Sequence, residues 1–329
     1  MDIARINMAH DVRRIDGGWD FTEHEKAINF VREVSKEVGK EIKILQDISG
    51  PKIRFGKIKG GKAYLKKGDR VIISETGEEG ERTGENVFKV SINFKGVLKE
   101  LRKGAHLEVD DGRLTLEVIR VMDDEVECVV LNNHELKEGK GVNIPVSCKE
   151  LPIIEKKDEE ALKFGIEIGV DIVAISFVRN AEDIKKVRGF LNERGGRPLI
   201  VAKIERKEGV ENLNEILDVS DMLMVARGDL GLDVGLENVP LYQAFIIQKA
   251  KLVYKPVIVA TQMLASMEHS NRPTRAEVCD IANAVFQGAD ALMLSDETAG
   301  KEAKFPIEAV KWMRRVIEKT EEFKAKNWI

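Results

Sequence analysis

Three cysteines in 329 residues, Cys128, Cys148 and Cys279, are too few, too scattered and odd in number for a disulfide framework or a zinc site. A reducing cytoplasm is the setting such usage implies. Long apolar runs are also missing, since the hydrophobic stretches are of strand length against the roughly 20 residues a membrane helix needs. Charge of one sign is not in excess: 53 basic residues face 57 acidic ones for a net charge of -4, which indicates neither a nucleic-acid nor a membrane surface. There is no low-complexity tract, and Met1 runs at once into Asp2 and a strand pattern, so no signal peptide is expected. What remains is globular: 43% apolar and 33% charged residues on a chain long enough for one large and one smaller domain.

Seven short apolar runs each stop at a polar or charged residue. They are DIARIN at Asn7, EIKILQD at Asp47, DIVAISF with Ser176, PLIVAKIE at Glu205, DMLMVARGD at Asp229, PVIVATQ with Thr261 and DALMLSDE at Ser295 to Glu297. Amphipathic stretches of helical period follow most of them, which reads as repeated βα units with a parallel sheet. Strands of such a sheet are covered on both faces, so only their ends can carry chemistry. In a (β/α)8 TIM barrel all strands point their C-terminal ends at one mouth, which would gather Arg5, Asn7, Asp47, Ser176, Lys203, Glu205, Arg227, Asp229 and Thr261. Closing such a barrel takes eight strands, and seven are recognisable. Either a further upstream strand or another covering for the sheet edge is expected.

Between Arg54 and Cys148 the rhythm changes. RLTLEVIRV and EVECVVL alternate with period two around a Met122-Asp123-Asp124 turn, and glycine is dense. This predicts a small antiparallel β-barrel domain at residues 54–148, inserted into a barrel domain made of residues 1–53 and 149–329.

Lys203 and Glu205 sit two apart at the end of PLIVAKIE, so strand geometry puts both on one face. On a surface strand this would be an ordinary ion pair. A strand of Leu, Ile and Val seldom buries such a pair without a use for it. Asp229 ends the next run, and two carboxylates from adjacent strands suit Mg²⁺, which takes one or two protein carboxylates and completes its shell with water and substrate oxygens. The Arg227-Gly228-Asp229-Leu230-Gly231 turn is expected to expose backbone N–H groups to an anion.

AKIERKEGVENL, MVARGDLGL, VIVATQMLASM, NRPTRAEVCDIANAV and ALMLSDETAGK, together with ARINMAH, LQDISGPKIRFG, VDDGRLTLEV and KGVNIP, closely resemble the successive signatures of pyruvate kinases, in order from Met1 to about Trp312. The resemblance implies phosphoryl transfer from phosphoenolpyruvate to ADP, giving pyruvate and ATP, on a (β/α)8 domain with an inserted β-domain. It further implies Glu205 and Asp229 as ligands of Mg²⁺ or Mn²⁺, and Lys203 as the charge that steadies the transferring phosphoryl group and the enolate. Arg5 matches the phosphate-binding arginine, and Thr261 the residue that helps deliver a proton to the enolate carbon through water. Ser176 and the backbone at Gly228 and Asp229 match the substrate side. His10, Arg54 and Lys140 match nucleotide-side positions, with Asp111 joining them and Lys140 carried on a mobile lid.

Asn7, Asp47 and Ser176 match the neighbourhood of the family's monovalent-cation site. Ala9 stands where serine is usual, and Lys52 where potassium-dependent members carry Glu. A lysine ammonium supplies the charge potassium otherwise provides, so activity without potassium is expected. Asp296 and Arg206 replace a common Gly and Asn beside the mouth, and tolerance is expected. Against the family pattern, the first barrel strand and the C-terminal domain with its effector site are lacking, so a fragment or a misassigned start is one expectation and the absence of sugar-phosphate control another. A homo-oligomer through barrel helices is expected. Two rival readings remain: a relative that binds ligand or partner without turnover, and an Mg-dependent pyruvate-enolate aldolase or lyase. The second class lacks the inserted domain and the Lys two residues before the Glu.

Overall fold

A computed structural model describes residues 1–10, 12–16, 18–146 and 151–327. Cys148 lies outside them, as does the expected boundary at 148 and 149. The chain divides into two compact units, one of Met1–Gly50 with Ile153–Ile329 and the other of Pro51–Pro152.

The larger unit is built on one sheet of seven strands: β1 (Ile3–Asn7), β2 (Lys43–Asp47), β3 (Ile172–Ile175), β4 (Leu199–Ile204), β5 (Met222–Ala226), β6 (Val257–Ala260) and β7 (Ala291–Met293). They lie in chain order and every neighbouring pair is parallel. A doubly wound sheet would reverse its order at a switch point, so the sequential order belongs to a TIM-barrel type of fold. Among the described residues β1 and β7 are the two ends of the ladder. The helices between strands are α1 (Thr22–Glu37), α2 (Lys156–Ile168), α3 (Ala181–Glu193), the short α4 (Lys207–Glu211) and α5 (Leu213–Val219), α6 (Arg227–Val234), α7 (Val239–Leu252), α8 (Arg275–Gln287), α9 (Asp296–Ala299) and α10 (Pro306–Asn327).

Local chemistry sets several helix ends. Thr274 caps α8, its hydroxyl accepting from the Glu277 N–H while the Glu277 carboxylate accepts from the Thr274 N–H at 2.7 Å. Gly288 ends the same helix at φ +97, a conformation other residues resist.

Alternation along the strands separates two apolar layers. Leu45, Ala174, Val201, Met224, Ala226, Ile258 and Ala260 pack together in one cluster. Their neighbours in sequence, such as Val173, Ile200, Ala202, Val225 and Val259, pack in another with residues of α3, α5 and α7. Period two then places Arg5, Asp47, Ser176, Lys203 and Glu205 on the side of the first cluster, beyond its last apolar layer.

The smaller unit holds a second seven-stranded sheet and a two-stranded one. Leu114–Val121 and Glu125–Val130 form the expected hairpin, turned at Asp123 and Asp124. One expectation needs correction. The domain is not wholly antiparallel, because Arg70–Ser74 pairs with Val87–Ser91 in parallel. The connection between them is about a dozen residues, enough for a crossover, and its strand Glu81–Gly84 turns back on Val87–Ser91.

Candidate active site

Asp47, at the end of β2, is 1% exposed and takes two cations. Arg5 from β1 approaches its Oδ2 with both Nε and Nη2 at 2.7 Å, and the Lys203 Nζ from β4 lies 3.0 Å from its Oδ1. Lys203 also donates to the Ser176 hydroxyl at 2.7 Å and lies 3.2 Å from Glu205 Oε1. An ammonium has three N–H groups, and here three acceptors meet them. The Glu205 Oε2 accepts the Phe177 N–H at 2.6 Å, and the Ser176 hydroxyl donates to the Ile48 carbonyl at 2.7 Å. Strand ends β2, β3 and β4 thus build one closed network around a single nitrogen.

The electrostatics follow from this sharing. Burial alone would push the Lys203 ammonium down, but Asp47 and Glu205 overcome it and hold Lys203 above its ordinary range. Burial would likewise raise Asp47, yet Lys203 and Arg5 outweigh it and hold the carboxyl below its ordinary value. Glu205 moves the other way: burial raises it, Asp229 adds to the rise, and Lys203 with the Phe177 N–H only partly offsets them. Lys203 gains from two carboxylates while Glu205 shares one ammonium with Asp47, which explains the opposite directions. Two cations, Arg5 and Lys203, face three carboxylates, Asp47, Glu205 and Asp229, so the site is one positive charge short.

That deficit is the test of fit for a divalent ion. Among the described residues no three His, Cys, Asp or Glu side chains form a metal-holding group. Mg²⁺ needs no such cage, since one or two carboxylates suffice. Glu205, pushed toward protonation by burial and then by Asp229, is a pair partner that a divalent cation relieves.

The Arg227 to Gly231 segment is not an open turn but the first turn of α6. Its glycines read as turn residues, whereas the chain passes from β5 directly into a helix. The Gly228 N–H is already engaged, donating to Thr261 Oγ1 at 2.9 Å, and Thr261 in turn donates to the Ala260 carbonyl at 2.6 Å. Thr261 and Gln262 stand at φ +74 and +54. For a β-branched residue this is an outlier, and each such residue costs on the order of 1–3 kcal/mol. The loop that follows is tied down twice. Glu277 accepts the Ser266 N–H at 2.7 Å and its hydroxyl at 2.6 Å, and the buried Glu297 accepts the Leu264 N–H at 3.0 Å.

The other named positions are more scattered. Asn7 turns its side chain into its own loop, accepting the Ala9 N–H at 3.1 Å, and the Ala9 carbonyl accepts from Lys157 at 3.3 Å. His10 is exposed. Arg54, Asp111, Lys140 and Lys52 belong to the smaller unit. There Arg54 donates to the Gly139 carbonyl at 3.0 Å, and the Lys52 side chain runs against Gly141, where an added Cβ would meet Lys52 Cε at 2.8 Å. Lys140 pairs at 2.6 Å with Asp110, not with Asp111, which is exposed. Asp110 is 5% exposed and also meets the His134 ring at 2.9 Å. Burial would raise it, but Lys140 and His134 hold it below its ordinary value. Asp110 and His134 are therefore residues the sequence reading missed. Asp296 directs its charge at Glu268, whose carboxyl is raised by burial and then by Asp296.

Comparison with known proteins agrees in one direction. The family profile described as "Pyruvate kinase, barrel domain" matches residues 1–310. The chain is 41% identical over 324 residues to the pyruvate kinase of Thermococcus litoralis, covering 98% of this chain and 65% of that protein. It is 43% identical over 325 residues to that of Bacillus licheniformis, covering 98% and 53%. A crystal structure of a pyruvate kinase from Cryptosporidium parvum aligns with a TM-score of 0.88 at 36% identity, over 98% of this chain and 64% of that one. The chain thus spans between about half and two thirds of the length of these relatives.

Proposed function

The chain belongs to the pyruvate kinase family, and on that premise we propose that it transfers the phosphoryl group of phosphoenolpyruvate to ADP, giving pyruvate and ATP, as a cytoplasmic enzyme of glycolysis. One observation carries the reading: a buried Lys203 ammonium bracketed by Asp47 and Glu205, with Asp229 close enough to disturb Glu205. Phosphoryl transfer asks mainly for positioning and charge neutralisation, and this is what such a group supplies.

In this reading Glu205 and Asp229 hold Mg²⁺ or Mn²⁺, which when bound neutralises charge on the substrate carboxylate and enolate oxygen. Arg5 keeps Nε and Nη2 on Asp47, so its Nη1 side is left to face the phosphate. Lys203 stays protonated throughout, because its folded environment favours the charge, and acts as a fixed cation beside the transferring group. Thr261 orders the water that protonates the enolate carbon, since a threonine hydroxyl is too weak an acid to do so alone. In the smaller unit Arg54 and Lys140 offer cationic groups to the nucleotide phosphates. A homo-oligomer through barrel helices is part of the same proposal.

The direct test couples pyruvate release to lactate dehydrogenase with phosphoenolpyruvate, ADP and Mg²⁺. ADP-dependent turnover supports the proposal; pyruvate release from a keto-acid without nucleotide, or no turnover at all, defeats it. Potassium is expected to be dispensable. Asp47 already has two protein cations, and Ala9 offers no side-chain ligand to the monovalent site. Equal rates in potassium and tetraalkylammonium salts are the expected result, and a tenfold activation by potassium is the contrary one.

Metal binding has its own signature. An ion at 100 times its Kd should add about 2.7 kcal/mol to stability, and so raise the melting temperature. Glu205 resists ionisation, so the affinity should weaken as the solution is acidified, and a proton is released on binding. Glu205→Gln should abolish the Mn²⁺-dependent rise. A rise that survives this substitution would place the ion elsewhere.

A further inference from the structure

The strained peptide at Thr261 is gripped from one side chain. Arg227, the first residue of α6, donates Nη2 to the Thr261 carbonyl at 2.6 Å and Nε to the Thr261 and Ala260 carbonyls, each at 3.2 Å. Nη2 also meets the Met263 sulfur at 2.8 Å. Nη1 is held by both oxygens of Asp280 on α8, at 2.9 and 2.7 Å, with Gln243 of α7 at 3.4 Å. Every N–H of the guanidinium has an acceptor, and its side chain is only 12% exposed. The next residue, Gly228, grips the other end of the same threonine through the hydroxyl. The one after that is Asp229.

We propose that Arg227, anchored by Asp280, is a positioning residue that holds Thr261 in its left-handed conformation and so fixes the Thr261 hydroxyl against α6, at a set distance from the carboxylate of Asp229. The proposal rests on the role given to Thr261 above, and it assigns Arg227 no contact with substrate. The chemistry explains why arginine is needed. A planar fork reaches two successive carbonyls on one edge and a carboxylate on the other, whereas a lysine ammonium is a single point that cannot span them. With the fork gone, the Thr261 carbonyl loses its hold on α6, and as the strained backbone relaxes the bond from the Gly228 N–H to the hydroxyl weakens.

Two variants test this in the full chain: Arg227→Lys, and Asp280→Asn, which keeps the guanidinium but removes its anchor. The first readout needs no turnover. Hydrogen exchange of the Gly228 amide, followed by NMR, should quicken at least tenfold in Arg227→Lys and by less in Asp280→Asn. The second is catalytic: kcat should fall by about 10²-fold with KM for phosphoenolpyruvate unchanged, and exchange of the pyruvate methyl protons should fall by the same factor. Combining Arg227→Lys with Thr261→Ala should add nothing to the loss from Thr261→Ala alone. Unchanged Gly228 exchange in both variants, or an additive loss with Thr261→Ala, overturns the proposal. A wild-type chain that neither turns over nor exchanges methyl protons overturns the functional reading instead, while the Gly228 measurement still decides whether Arg227 holds the loop.

Discussion

Lys203→Met is expected to lower ADP-dependent pyruvate formation by roughly 10³-fold, the scale for removing one preorganised charge or donor from a transition state. Methionine keeps the length and the apolar stem of lysine, so the loss isolates the ammonium. It does so at a structural cost that has to be measured beside it. The ammonium is the common partner of Asp47, Ser176 and Glu205, and Arg5 reaches only the first of these. Removing one member of a buried pair leaves its partners uncompensated, typically by about 3–5 kcal/mol. Glu205 is already raised by burial and Asp229, and without Lys203 it should be raised further and take up a proton more readily. Two results then belong together: the rate loss, and a variant that binds Mn²⁺ more weakly and with a steeper pH dependence than the wild type. A Lys203→Met chain with the same melting temperature and more than a tenth of the activity would remove Lys203 from the centre of the mechanism.

Much of this arrangement was legible in the chain because two periods do most of the ordering. Continuous apolar runs of strand length separated by amphipathic stretches leave few alternatives to a parallel sheet, and all seven runs became its strands in chain order. Spacing alone put Lys203 and Glu205 on one face, where their charged atoms lie 3.2 Å apart. What resisted reading has no periodic signature. Left-handed backbone is usually betrayed by glycine or asparagine, but at the mouth it falls on Phe177, Thr261 and Gln262, and in the smaller unit on Asp110 and Asp111. Nothing in an Asp-Asp pair says which carboxylate is buried, so Asp111 was named while Asp110 holds Lys140 and His134. The Arg227 to Asp280 contact joins residues 53 positions apart, a separation that only the closed fold brings together. Alternation in the smaller unit marked strands but not their direction, which is why a parallel pair was missed.

Asp47→Asn should destabilise the larger unit by about 3–5 kcal/mol, since it uncouples the buried Lys203 and the half-buried Arg5 from their shared carboxylate. Turnover should fall by roughly 10²-fold, because Arg5 and Lys203 lose the bridge that fixes their spacing. The asparagine is nearly the same shape, so packing changes little and charge is what the substitution tests. The pH dependence separates the two. Asp47 has its carboxyl held below the ordinary value in the folded protein, so the unfolded chain binds the proton first as the solution is acidified. Its stabilising contribution is therefore complete above the unfolded value of about 4 and is lost as the pH falls through the native one. Glu205 works in the opposite sense and at higher pH: its folded carboxyl is raised, so its ionised form costs stability once the pH rises through that value, and acidification relieves the cost. The two windows do not coincide. Urea midpoints of wild type and Asp47→Asn should thus differ most at neutral pH and converge below about pH 4, with the wild type losing the advantage. A gap of constant size from pH 7 to pH 3 would mean that the asparagine disturbs packing, and that Asp47 is not the electrostatic bridge between Arg5 and Lys203.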